Sequence, residues 1–99
     1  MIIVTGTVLA KPDAFDEILA ISTEHVLRSR AEPGCISHAV MRDTEEPLRL
    51  HFLERWQDMA VLKAHFVVPA SREFGGNLAR LSSEPPSMQL HDATEVSPR

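Results

Sequence analysis

The segment Ile2-Ile3-Val4-Thr5-Gly6-Thr7-Val8-Leu9 alternates like a strand, yet it carries apolar residues on both faces. Ile2, Val4 and Val8 point one way; Ile3 and Leu9 point the other, with Thr5 and Thr7 between them. A strand of this kind lies in the middle of a sheet and needs cover on both sides. The chain has 99 residues, which is one domain. A chain of that length buries only about two thirds of its unfolded surface, so it gains by pairing with another copy of itself.

The rest of the chain supplies the cover for one side. Pro12 and Asp13 open a helix, with Asp13 as N-cap and Asp16 and Glu17 near its positive end. Phe15, Ile18, Leu19, Ser22 and Val26 recur at helical spacing and mark its buried stripe, and Pro33-Gly34 ends any continuation. Residues 35–42 read as a second strand, with Ile36, His38 and Val40 on one face. Residues 48–56 read as a third, with Leu48, Leu50, Phe52, Glu54 and Trp56 together. The polar turn Asp43–Pro47 makes these two a hairpin. Asp58 caps a helix to about Val67, Pro69 breaks it, and a second piece carrying Gly75-Gly76 runs to Leu81. Met88–His91 alternates as a last short strand. The order β-α-β-β-α-β predicts an α+β fold, an antiparallel sheet with helices on one face.

Composition excludes several classes of function. The formal charge is −4 and the 10 Lys and Arg are scattered, so no nucleic-acid footprint exists. No stretch approaches transmembrane length, and the apolar start is interrupted by Thr5, Gly6 and Thr7, unlike a signal peptide. A single Cys and no leader fit a cytoplasmic protein. No HxH, HExxH or CxxC spacing predicts a metal site, and no glycine-rich loop predicts a nucleotide.

Among residues able to carry chemistry, His65 comes first. It stands on the edge of a helix's apolar stripe, and imidazole exchanges a proton near neutral pH. It reads either as a base or as a helix-end His satisfied by a backbone group. Glu54 falls on the strand face that helices cover, so it must be paired or shifted. It reads as an acid that orients a base or binds substrate, or as a structural anchor. Trp56 reads as a pocket wall or as core. Thr5 and Thr7 read as cavity hydroxyls or as ordinary strand residues. Cys35 has no activating neighbour in sequence and reads as a small hydrophobe. By spacing, His25 and His91 have no partner.

Glu32-Pro33-Gly34-Cys35, Glu54-Arg55-Trp56 and Ala64-His65, in this order and spacing, resemble the antibiotic biosynthesis monooxygenase family over roughly residues 1–91. The resemblance implies a ferredoxin-like subunit pairing sheet to sheet into a dimeric α+β barrel; residues 92–99, beyond it, read as a flexible tail. It implies a homodimer that oxidises a small electron-rich aromatic, of the quinol or anthrone type, with O2 and without metal or cofactor. His65 would then accept the proton and Glu54 would orient it. Thr5 or Thr7 would bind the substrate oxygen, and Trp56 and Phe66 would form the wall. Two alternatives stay open: a non-oxidative isomerase of a small carbonyl compound, for which Lys63 and Arg72 are the nearby cations, and a non-enzymatic ligand-binding dimer. Thr5, His65 and Gly75 stand where the haem-degrading branch has its Asn, Trp and His, and Pro69-Ala70 stands where many relatives have Pro-His. Haem degradation is therefore disfavoured. The chain also has no Tyr, a pocket residue of some polyketide-oxidising members.

Overall fold

The computed structural model describes all 99 residues. The elements run β1 (Ile2–Leu9), α1 (Phe15–Ser29), β2 (Cys35–Arg42), β3 (Arg49–Trp56), α2 (Met59–Val67), α3 (Pro69–Leu81) and β4 (Ser87–Asp92). The sheet is antiparallel throughout, in the order β2-β3-β1-β4. This is the ferredoxin-like α+β topology, with the second helix split in two at Pro69.

The doubly apolar first strand takes a central position, between β3 and β4. One face of the sheet carries Val4, Val8, Leu50, Phe52 and Trp56, and these pack with Ile18 and Val26 of α1, Leu62 of α2, and Leu78 and Leu81 of α3. Trp56, Ile18, Leu50 and Leu62 are completely buried. Each such side chain contributes about 1.5–3 kcal/mol of burial free energy. The other face carries no helix, and Leu53 and Met41 lie exposed on it.

Local chemistry sets most of the boundaries. Asp58 caps α2, its Oδ1 accepting from Val61 N at 3.0 Å. Pro69 supplies the first turn of α3, where its missing N–H costs nothing. Two expectations fail. Asp13 is not the cap of α1: that place belongs to Ala14, which makes no side-chain cap bond. Ile36 does not join the buried face of β2, because the register shifts between Cys35 and Ser37 and leaves Ile36 exposed. A bulge of this kind puts an extra residue out of alternation.

Gly34 is the pivot of the turn before β2. It adopts φ 81°, in the left-handed region, and a Cβ there would stand 2.6 Å from Val61 Cγ1. Only glycine permits both the turn and this approach of α2. At the other end of the chain Met1 and Ala93 exchange backbone hydrogen bonds at 2.8 and 2.9 Å, which ties down the residue after β4.

Candidate active site

A cavity of about 250 Å³ lies between β1, β3, α1, α2 and α3. Its walls include Val4, Val8, Phe52, Phe66, Phe74 and Leu78, and its polar groups include His25, Glu54 and His65. Gly75 also lines it, and a Cβ at that position would meet nothing within 4 Å. The helical penalty of Gly75, about 1 kcal/mol, thus coincides with open space at the cavity wall. No Lys or Arg lines the cavity.

His65 is buried on α2, with its Nδ1 2.9 Å from Glu32 Oε1. The geometry follows from the turn: Val61 and His65 are one helical turn apart, so the face that receives Gly34 also presents His65 to Glu32. A carboxylate at Nδ1 fixes the ring and keeps the proton on that nitrogen, which leaves Nε2 as the acceptor. The ring also lies 4.6 Å from the Trp56 ring.

Glu54 does not hydrogen-bond His65. Its Oε1 accepts from Trp56 Nε1–H at 2.9 Å and lies 3.1 Å from His38 Nε2, directly across the β2–β3 register. The His38 contact has the distance of an ion pair but not the angle of a hydrogen bond, so neither ring nitrogen of His38 is hydrogen-bonded. Burial alone would push Glu54 upward. The His38 imidazole and the indole N–H outweigh it and hold the carboxyl below its usual range, so the group is an anion at neutral pH. The orienting carboxylate of His65 is Glu32, a residue singled out in the sequence only for its turn.

His25 completes the group. It is buried on α1, stacked on Phe74 at 4.0 Å, with Nδ1 2.9 Å from Arg28 Nη2. Burial, then the neighbouring imidazoles and Arg28, lower its pKa to about 3, so it is neutral at physiological pH. The His25, His38 and His65 rings sit with centroids 5.2 to 5.8 Å apart. Sequence spacing missed this cluster because its members come from α1, β2 and α2. Two signals were present: His25 continues the Ile18–Ser22 stripe, and His38 shares a strand face with Val40.

The other expected residues divide. Phe66 lines the cavity. Trp56 does not: it is wholly buried with Ile2, Val4 and Leu62. Thr5 is turned by strand alternation to the open face of the sheet and does not line the cavity. Thr7 touches its rim, but its hydroxyl is taken by Ser87 Oγ at 2.9 Å. Cys35 is half-buried, and burial followed by the Glu54 and Glu32 charges raises its thiol pKa, which disfavours a nucleophilic thiolate.

Comparison with known proteins fits this geometry. A profile of the antibiotic biosynthesis monooxygenase family matches residues 1–75. The chain belongs to that family. It is 34% identical over 95 residues to an uncharacterized protein of Synechocystis, covering 96% of this chain and 65% of that protein's length. A crystal structure of an antibiotic biosynthesis monooxygenase superposes with TM-score 0.88 at 26% identity, covering 96% of this chain and all of the other. A protein of Deinococcus radiodurans described in the same terms gives TM-score 0.92 at 21% identity, over 98% of this chain and 96% of the other. At that identity the likeness speaks for the fold alone. No helix of this family member is long and apolar enough to cross a membrane.

Proposed function

We propose that the protein oxidises a small electron-rich aromatic of the quinol or anthrone type with O2, using His65 as proton acceptor. The carrying observation is the Glu32–His65 pair, 2.9 Å apart, set beside a mainly apolar cavity of about 250 Å³. That volume lies just below the usual range for ligand sites, which favours one- or two-ring substrates. The absence of any cavity-lining Lys or Arg speaks against the phosphorylated substrates of an isomerase.

The energetics are workable. A phenol ionises near ~10 and an imidazole near ~6.5, a gap of roughly 5 kcal/mol. The Glu32 carboxylate on Nδ1 holds the ring with Nε2 free for the proton, and a dry cavity strengthens each interaction with the developing charge. The substrate carbanion then passes one electron to O2. Recombination gives a hydroperoxide, which takes back the proton and loses water to leave a carbonyl. One oxygen atom enters the product, the other leaves as water, and the substrate supplies all four electrons. Glu54, Thr7 and Phe66 remain in this reading as cavity-wall contacts to the substrate. Thr5 and Trp56 do not touch it.

A second subunit across the uncovered face of the sheet is part of the same proposal. Exposed Leu53 and Met41 would be buried there.

The test is O2 uptake by wild type and His65→Ala across a panel of naphthoquinols, hydroquinones and anthrones. The variant should lose about 100-fold or more of wild-type turnover. Turnover unchanged by the substitution would remove His65 from the mechanism. Ligand binding with no O2 uptake by wild type would make the protein a binding module.

A further inference from the structure

We propose that His25, His38 and His65 form a binding site for one divalent transition cation of the Zn2+ or Co2+ class. One nitrogen from each ring lies within 4.8 Å of the others, and all three residues are buried. A tetrahedral metal with bonds of about 2.0–2.1 Å needs nitrogens about 3.3 Å apart, so the rings close by an ångström or so around the ion.

Three observations make this more than a chance cluster. First, His38 is only 2% exposed and its Nδ1 has no hydrogen-bond partner. A buried polar group without a partner is unusual, and a metal would satisfy it. Second, two of the three imidazoles have a carboxylate at one nitrogen: Glu32 on His65 at 2.9 Å and Glu54 on His38 at 3.1 Å. Metal-ligating histidines are oriented by just this kind of outer carboxylate, with the opposite nitrogen left for the ion. Third, the Glu32 and Glu54 carboxylates each lie against a ring of the cluster and favour a cation there, while the two guanidiniums nearby, Arg28 on His25 Nδ1 and Arg30 on the His38 backbone carbonyl, sit at its edge.

Arg28 is the group that must yield. Its Nη2 now donates to the His25 Nδ1 lone pair. The cation takes that lone pair, at Nδ1 directly or at Nε2 after the ring proton shifts to Nδ1. Arg28 is half-buried and has solvent to move into. His25 and His65 both line the cavity, so the ion's fourth position opens toward it. Imidazole ligands suit Zn, Co, Cu and Ni rather than Mg or Ca. On the reading proposed above, an ion on His65 takes the lone pair that accepts the substrate proton, and it inhibits the metal-free oxidation.

The experiment is a titration of chelator-treated full-length protein with Co2+ followed by visible ligand-field absorption, paired with Zn2+ calorimetry. No substrate is present, so the result is independent of turnover. The expected result is saturation at one ion per chain with the intense spectrum of a four- or five-coordinate site. His38→Gln should lose that spectrum. Glu32→Gln, which keeps all three ligands, should weaken binding about 10- to 100-fold, and it decides the matter if His38→Gln fails to fold. His51→Ala with His91→Ala, both outside the cluster, should leave binding intact. Absence of saturable binding overturns the site, as does binding that survives Glu32→Gln unchanged but disappears in the His51/His91 variant.

Discussion

Acidification from pH 7 to pH 5 should cost the fold about 2 kcal/mol through His25 alone. The ring ordinarily titrates at 6.5, but in the folded chain its pKa is lowered to about 3, mainly by burial. Between those values the unfolded chain binds a proton that the folded chain refuses. Stability therefore rises with pH in this window; it is lost progressively as pH falls below about 6.5, and the loss is complete near pH 3. At pH 5 the size of the effect depends on the unfolded value, provided the folded one stays well below 5. Glu54 does not confound the window. Its carboxyl is held below 4.5, so its contribution is intact above that pH and is lost only under stronger acid. Urea unfolding of wild type and His25→Gln at both pH values, with a chelator present, isolates the term. Wild type should lose about 2 kcal/mol more than the variant, a midpoint difference on the order of 1 M urea. Equal pH dependence in the two proteins would refute the assignment of His25 as a neutral, buried imidazole.

Three further outcomes are expected. Glu32→Gln should lower kcat roughly 100-fold through misorientation of His65. The loss should fall on kcat rather than KM, since the ring is misplaced and the cavity wall is not; an unchanged kcat would leave Glu32 a structural role only. Gly34→Ala should destabilise by at least about 2 kcal/mol, from left-handed backbone strain and the collision with Val61, and a urea midpoint equal to wild type would contradict that packing. Leu53→Glu should shift the solution mass, measured by light scattering, from dimer to monomer by placing a charge in the apolar sheet face; an unchanged dimer would put the interface elsewhere.

Much of the fold was legible because it depends on period and punctuation. Asp58 and Pro69 bound α2 by local chemistry, and the alternation of Leu50, Phe52, Glu54 and Trp56 names the covered face whatever lies above it. The failures at Asp13 and Ile36 have a common cause. A cap and a bulge depend on where the backbone is pulled by its neighbours, and no window of a few residues contains that information.

The site was legible in part. His65 and Glu54 were identifiable as an imidazole and a carboxylate at positions facing the helices, and the phase of each element was enough for that. Their partners were not. Glu32 reaches His65 because Gly34 lacks a side chain and lets α2 close on the turn, an approach made across 33 residues of sequence. Glu54 meets His38 because of strand register, and His25 joins them because α1 lies over β2. By itself the sequence determined which residues are apolar, which faces they occupy and where elements end, since these are properties of neighbours along the chain. Only the tertiary structure decided which carboxylate serves which imidazole and that three imidazoles share one space. Such pairings act over a few ångströms, between groups that chain order keeps far apart.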